Sequence, residues 1–200
     1  MSIPLDPTRD ALVIVDVQND FCPGGALPVP AGDEVAPVLS AYAARFATAG
    51  APVFATRDWH PLRTRHFQSG GGPWPPHCVQ NTPGAAFHPA LRLPPETVVV
   101  SKGMDPEQDA YSAFQAETAD GMPFAAALGE RGVGRLFVGG LATDYCVKAT
   151  VLDALKEGFE VVVLTDAVRA VDVRPGDGER ALAEMRAAGA AFATLDDLRG

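Results

Sequence analysis

The chain has 200 residues, of which 47% are hydrophobic and 20% are charged, and its formal net charge is −9. This length and balance fit one folded domain with a substantial core, so we expect a single domain over residues 1–200. The negative charge disfavours nucleic acid and anionic membrane surfaces as partners, because both repel an acidic protein.

The N-terminal sequence MSIPLDPTRD lacks the basic start and apolar stretch of a signal peptide, so we expect no export. No segment reaches the roughly 18 apolar residues of a membrane span. The three cysteines, Cys22, Cys78 and Cys146, form no CxxC pair, and their odd number argues against a disulfide scaffold. We therefore expect a cytoplasmic protein with free thiols.

Apolar runs alternate with helical patterns along the chain. Strands are expected at Ala11–Val15, Pro52–Thr56, Thr97–Val100, Leu136–Val138, Glu160–Leu164 and, last and short, near Ala191–Leu195. Helices are expected at Glu34–Gly50, around Pro123–Glu130, at Tyr145–Glu157 and near Asp177–Ala188. This alternation predicts a doubly wound, three-layer α/β fold, in which a parallel sheet has helices on both faces.

Reactive side chains follow the carboxyl ends of four predicted strands. Asp16, Asp58 and Lys102 stand at the ends of the first three, and Cys146 follows the fourth after a Gly-Gly pair. Because the carboxyl ends of parallel strands lie along one edge of the sheet, we expect these four side chains to share one crevice.

Cys146 has the local setting of a nucleophile. It falls in the first turn of a predicted helix, with Thr143 as the expected N-cap, and a helix N-terminus favours the thiolate. Asp16 could take the thiol proton, and Lys102 could hold Asp16 ionised. Each residue alone is more simply explained as a buried thiol, a turn cap or a salt-bridge partner, but the three together favour catalysis.

The stretch Asp58–Pro95 is too long for a simple connection and is rich in Pro, Gly, His and Trp, so we expect it to be functional. It contains Asp58, His60, His66 and His77. Three imidazoles and one carboxylate suit an open site for one divalent ion such as Zn, Fe or Mn. The alternative is a set of solvent-exposed loop histidines. We therefore predict a metal-binding loop at about residues 58–95.

Six strings of the chain carry a family resemblance. They are DVQNDFCPGGAL (Asp16–Leu27), TRDWHP (Thr56–Pro61), WPPHCVQNTPGAAFHP (Trp74–Pro89), SKG (Ser101–Gly103), YSAF (Tyr111–Phe114) and GLATDYCVKATVLDA (Gly140–Ala154). With these strings the chain resembles the nicotinamidases of the isochorismatase-like cysteine hydrolases almost from end to end. The DYCVKAT and WPPHCV strings are specific, whereas DVQNDF is shared with other relatives.

The resemblance implies a role for each matching residue. The catalytic triad would be Asp16, Lys102 and Cys146, and the metal ligands would be Asp58, His60 and His77, with His66 resembling an additional His of some members. The pyridine pocket would include Phe21, Trp74 and Tyr111. A cis peptide is implied at Leu141–Ala142, with the N–H groups of Ala142 and Cys146 as the oxyanion hole.

The implied activity is the conversion of nicotinamide to nicotinate and ammonia through a cysteine thioester in NAD salvage, with pyrazinamide as a further substrate. In this mechanism the bound ion would take the pyridine nitrogen as a ligand and so orient the ring. One alternative is a related amidohydrolase acting on a carbamoyl or ureide substrate. A receiver-like signalling domain is disfavoured, because it needs an acidic pair after the first strand. A homo-oligomer is compatible with the sequence.

Overall fold

A seven-stranded sheet with α-helices on both faces forms the centre of the molecule in a computed structural model that describes residues 3–199. The strands are β1 (Ile3–Pro4), β2 (Asp10–Val15), β3 (Val53–Asp58), β4 (Val98–Lys102), β5 (Glu117–Thr118), β6 (Arg135–Leu141), β7 (Glu160–Arg169), β8 (Ala191–Ala193) and β9 (Leu198–Arg199). The α-helices are α1 (Val35–Ala49), α2 (Phe124–Gly129), α3 (Lys148–Lys156) and α4 (Asp177–Ala187).

The strand order in the large sheet is β5-β4-β3-β2-β6-β7-β8, and β1 pairs with β9 in a separate two-stranded sheet. All neighbours in the large sheet are parallel except β4 and β5, which run antiparallel. The predicted doubly wound fold is confirmed, with the correction that its edge strand makes the sheet mixed. Strand β5 has only two residues and no apolar run, so the hydrophobic pattern could not indicate it.

The two faces of the sheet bury two separate cores. Along β2, Leu12 and Ile14 pack in the core that contains α1, and Val13 packs in the core that contains residues of α2, α3 and α4. Every residue of β2 is buried, because both faces of this central strand are covered. The three-layer arrangement explains why the strand reads as a continuous apolar run.

Several elements differ in length from the sequence prediction. Strands β6 and β7 continue beyond Val138 and Leu164, to Leu141 and Arg169, and β8 ends at Ala193. The helix expected from Tyr145 begins earlier, as a π-helical turn over Thr143–Val147 that leads into α3. Among residues 3–199, no helix combines the length and apolar character that crossing a bilayer requires.

Gly140 lies inside β6, rather than in the loop that the sequence suggested. Its φ is +127°, and a Cβ built on it would lie 2.1 Å from the carbonyl oxygen of Val15 in β2. The glycine therefore permits the close approach of the two central strands just before the chain turns into the site.

We predict that Gly140→Ala lowers the free energy of unfolding by at least about 2 kcal/mol, because the methyl group meets backbone and the left-handed φ becomes strained. Urea unfolding followed by circular dichroism measures this change. Gly129→Ala is the matched control, since a Cβ there has no neighbour within 4 Å, and we expect it to change stability by less than about 1 kcal/mol. Equal stability of the two variants would contradict the role of Gly140 in the close approach of β2 and β6.

Candidate active site

Four reactive side chains come together at the carboxyl edge of the sheet. The contiguous strands β4, β3 and β2 end at or just before Lys102, Asp58 and Asp16, and the turn after β6 brings in Cys146. Asp58 and Lys102 are direct partners in the β3–β4 register. The expectation that these side chains share one crevice is met, because the parallel strands align their ends.

Lys102 is the cation at the centre of this group. Its Nζ lies 2.8 Å from Oδ2 of Asp16 and 3.6 Å from Sγ of Cys146, and it also contacts Oδ1 of Asp58. Burial opposes the charge of this fully buried ammonium, but the two carboxylates outweigh burial and raise the pKa of Lys102. Lys102 therefore stays protonated and offsets the charge of the acids beside it.

Asp16 follows β2 with a left-handed φ of +50°. The hydroxyl of Thr56 donates to Oδ1 of Asp16 at 2.6 Å and so orients the carboxylate. Burial raises the pKa of Asp16, while Lys102 works in the opposite direction. Asp16 is thereby a stronger base than an exposed aspartate. Sequence reasoning missed Thr56, because only the β2–β3 pairing brings the two residues together.

The thiol of Cys146 differs from the sequence expectation in its protonation. Burial raises its pKa, and Asp16 and Asp58 raise it further, although Lys102 opposes them. The expected thiolate at a helix N-terminus is therefore wrong for the resting site, since desolvation outweighs the helix end. A hydrogen bond to Asp16 contributes to the raised pKa and gives the thiol proton an adjacent acceptor.

The turn that holds Cys146 begins with a non-proline cis peptide at Leu141–Ala142, as the family resemblance implied. Thr143 is not the N-cap: Ala142 occupies that position, and its carbonyl accepts from the N–H groups of Tyr145 and Val147. Both Ala142 and Cys146 line the pocket, and their role as an oxyanion hole stays a prediction.

Three imidazoles form a buried cluster next to the acids. His60, His66 and His77 each place one ring nitrogen within 4.8 Å of the others. Their Nδ1 atoms face the carbonyl of Gly103 at 3.1 Å, Oδ1 of Asp109 at 2.6 Å and the carbonyl of Pro75 at 2.7 Å, respectively. Because these partners are acceptors, the neutral rings carry their proton on Nδ1 and leave Nε2 as a lone pair.

These residues fit a metal ion. Nε2 of His60 is buried without a hydrogen-bond partner, and Oδ2 of Asp58 lies 3.5 Å from it and 3.8 Å from Nε2 of His77. Burial lowers the pKa of His77 to about 4 and also lowers that of His66, which favours the neutral, ligating form. An inward-facing set of nitrogen and carboxylate donors of this kind is a divalent-ion site.

Asp58 joins the two halves of the site. One carboxylate oxygen contacts Lys102, and the other faces the imidazoles of His60 and His77. Burial opposes its ionisation, but Lys102 and His60 outweigh burial and lower the pKa of Asp58. A single ionised group is thus shared by the thiol side and the metal side.

The pocket between these halves has aromatic and apolar walls. Trp74 donates from Nε1 to the hydroxyl of Tyr111 at 2.9 Å, and Phe21 contacts the His77 ring at a centroid distance of 5.4 Å. The residues that line the pocket are Phe21, Leu27, Val29, Asp58, His66, Trp74, His77, Tyr111, Leu141, Ala142, Tyr145, Cys146 and Val171. The predicted aromatic residues are all present in this wall.

Sequence reasoning missed five wall residues, which are Leu27, Val29, Leu141, Tyr145 and Val171. Tyr145 precedes Cys146 and could have been found from that position alone. Val171 lies beyond β7 and reaches the pocket because the carboxylate of Asp144 accepts from the N–H groups of Val171 and Asp172, at 2.9 Å each. Asp144 is therefore an anchor of this turn.

The fold and site together define a class: a doubly wound α/β protein in which a buried thiol and a metal-binding cluster face one pocket. A family model for the isochorismatase domain matches residues 10–197. The chain is 42% identical to the nicotinamidase of Escherichia coli (strain K12), over 94% of this chain and 95% of that protein. The chain therefore belongs to the isochorismatase family, and the resemblance found in the sequence is confirmed.

Two solved structures share the whole fold. The pyrazinamidase of Pyrococcus horikoshii, in complex with zinc, is 49% identical with a TM-score of 0.86, over 94% of this chain and 99% of that one. PnC1 from L. infantum, in complex with nicotinate, is 36% identical with a TM-score of 0.88, over 100% of this chain and 99% of that one.

We predict that iodoacetamide modifies Cys146 at least about tenfold faster than Cys22 or Cys78 in the folded protein, because only the first of these thiols lines the pocket. Peptide mass spectrometry over a time course measures the three rates. In urea all three thiols should react at similar rates, which provides the control. Faster labelling of Cys22 or Cys78 in the folded state would contradict the site geometry.

Proposed function

We propose that this protein hydrolyses nicotinamide to nicotinate and ammonia, with Cys146 as nucleophile. The observation that carries the proposal is a single pocket, walled by aromatic rings, that both Cys146 and the imidazoles of His66 and His77 line. A flat heteroaromatic amide needs both a partner for its ring nitrogen and a nucleophile for its carbonyl carbon. The nicotinamidase and pyrazinamidase relatives support the same activity.

The ring of the substrate would lie between the pocket walls. Phe21 and Trp74 supply apolar faces for the pyridine, and Tyr111 fixes the indole of Trp74 through its hydroxyl. A divalent ion held by Asp58, His60, His77 and His66 would supply a Lewis-acidic partner for the pyridine nitrogen. The carboxamide would then be directed at Cys146.

The protein's own groups account for the bond changes. Asp16 accepts the thiol proton as the sulfur attacks the amide carbon, and the ammonium of Lys102 offsets the negative charge in the site. The N–H groups of Ala142 and Cys146 hold the oxyanion. Asp16 then returns the proton to the departing ammonia, which leaves a thioester. Asp16 next takes a proton from water as the water oxygen attacks the thioester, and it passes that proton to the departing sulfur. This step restores the thiol and the Asp16 carboxylate and releases nicotinic acid, which ionises to nicotinate.

Zinc is the ion we propose for the cluster. Three imidazole nitrogens and one carboxylate oxygen suit zinc, and the Pyrococcus horikoshii pyrazinamidase is in complex with zinc. Iron and manganese accept a similar donor set and remain the alternatives for metal analysis. We also propose that the protein acts in NAD salvage in the cytoplasm, a reducing compartment in which free thiols such as Cys22, Cys78 and Cys146 persist.

Ammonia release from a substrate panel tests the proposal. Nicotinamide should be hydrolysed, with pyrazinamide as a second substrate, because both carry a carboxamide on a ring with a nitrogen donor at the same separation. A ureide or N-carbamoyl amino acid represents the alternative amidohydrolase. Hydrolysis of the ureide without hydrolysis of nicotinamide would contradict the proposed function and support the alternative amidohydrolase.

We predict that Cys146→Ala lowers kcat for nicotinamide by at least about 10⁴-fold, because no other group can form the thioester. Ammonia release measures turnover, and calorimetric titration with nicotinamide measures binding, which should stay within about threefold of the original protein. Cys22→Ala is the matched control, because that buried thiol lies outside the pocket and turnover should be retained. Substantial turnover by Cys146→Ala would remove the sulfur from the mechanism.

We predict that His77→Ala lowers the bound metal per chain and raises KM for nicotinamide by about tenfold or more, because one inward-facing nitrogen is lost. Elemental analysis of the purified protein and steady-state kinetics measure the two effects. His88→Ala changes the chain's fourth histidine, which lies outside the cluster, and should leave both quantities unchanged. Full metal occupancy in His77→Ala would show that the ligand is assigned wrongly.

A further inference from the structure

The carboxylate of Asp20 is a half-buried hydrogen-bond acceptor that the reaction above does not use. Its Oδ2 accepts from the backbone N–H of Cys78 at 2.7 Å, and its Oδ1 accepts from the N–H of Ala26 at 3.1 Å. Asp20 thus connects the turn after β2 to Cys78, in the middle of the metal-binding loop and 58 positions along the chain.

We propose that Asp20 is a positioning residue for the metal cluster, acting through the backbone of Cys78. The inference rests on the metal site of the proposed function and concerns how that site is held. Asp20 itself touches none of the reacting atoms, so its effect would pass through the geometry of two ligand residues.

The backbone of Cys78 is the link between Asp20 and the ligands. Cys78 directly follows His77, and its carbonyl accepts from the N–H of His60 at 3.0 Å. Its φ is +45°, a left-handed conformation that a residue with a side chain adopts only when the surroundings hold it. The Asp20 hydrogen bond is such a restraint, and it fixes His77 and His60 in relation to each other.

The Asp20 carboxylate packs closely against Gly84, which leaves room for it. A Cβ built on Gly84 would lie 2.1 Å from Oδ2 of Asp20 and 2.4 Å from both Cγ and Oδ1. The φ of Gly84 is not left-handed, so glycine is required there by the neighbouring carboxylate rather than by the backbone. Gly84→Ala therefore offers a way to displace the carboxylate without changing residue 20.

The charge of the side chain adds to its hold on the backbone. A carboxylate accepting N–H groups makes stronger hydrogen bonds than a neutral acceptor. Asp20→Ala leaves both N–H groups without this acceptor, whereas Asp20→Asn keeps one oxygen that can still accept. The two substitutions should therefore give a graded response.

The test measures zinc affinity of the metal-stripped protein by competition with a chromophoric chelator. We expect Asp20→Ala to weaken the zinc Kd by at least about tenfold, with Asp20→Asn in between, because groups that orient metal ligands typically contribute this much. Asp33→Asn removes the same charge from an exposed side chain and should leave the Kd unchanged. An unchanged Kd in Asp20→Ala would overturn the inference.

A double-mutant cycle separates positioning from a general loss of stability. Gly84→Ala should weaken zinc binding as Asp20→Ala does, and the double variant should be no weaker than Asp20→Ala, because the clashing atoms are gone. Additive losses, or equal losses in the Asp33→Asn control, would sink the inference. If Asp20→Ala does not fold, an unchanged zinc Kd in Gly84→Ala would overturn the inference.

The zinc measurement also keeps this inference distinct from the proposed function. It uses metal alone, without substrate. A protein whose zinc affinity depended on Asp20, yet which released no ammonia from nicotinamide, would refute the substrate and leave the positioning role standing. In an active protein, Asp20→Ala supplied with saturating zinc should recover its kcat, which a directly catalytic residue would not allow.

Discussion

The buried ammonium of Lys102 is the interaction on which the rest of the site depends. Two buried carboxylates, Asp16 and Asp58, lie close together at the carboxyl edge of the sheet, where burial opposes the charge of each. Only a cation between them allows Asp58 to stay ionised and Asp16 to act as a base. The parallel pairing of β2, β3 and β4 supplies that arrangement, because it ends three neighbouring strands at the same edge.

The long loop between β3 and β4 needs a different support, because it has no place in the sheet. Gln18 provides part of it: its side chain accepts from the N–H of Asp58 and donates to the carbonyls of Asp58 and Ala85, at 2.8 to 2.9 Å. An isolated parallel β-bridge pairs His60, just after β3, with Val79 in the same loop. Side-chain hydrogen bonds and an isolated bridge thus attach the ligand-bearing part of the loop to the edge of the sheet.

The sequence located the reactive groups because strand ends in a parallel sheet converge, so the positions of Asp58, Lys102 and Cys146 followed from local patterns alone. Local sequence patterns did not predict the contacts that depend on pairing between distant parts of the chain. Hydrophobic periodicity reports burial, and it cannot show that Gly140 touches Val15 or that Val171 reaches the pocket. Sequence reasoning also predicted that the helix end would favour the thiolate of Cys146, whereas burial, which the sequence does not show, raises the pKa of this thiol.

The positions of the imidazole protons indicate a cation site on the metal side of the pocket, independently of any similarity to relatives. Each imidazole of His60, His66 and His77 has an acceptor at Nδ1, which places the ring proton there and turns the Nε2 lone pairs inward. Oδ2 of the ionised Asp58 points at the same space. With neutral rings, no hydrogen lies between these four acceptors, and their mutual repulsion in a dry interior would be costly. A cation relieves that repulsion, and the carboxylate that would bind it also contacts Lys102, so the charge on one side of the pocket is set together with the charge on the other.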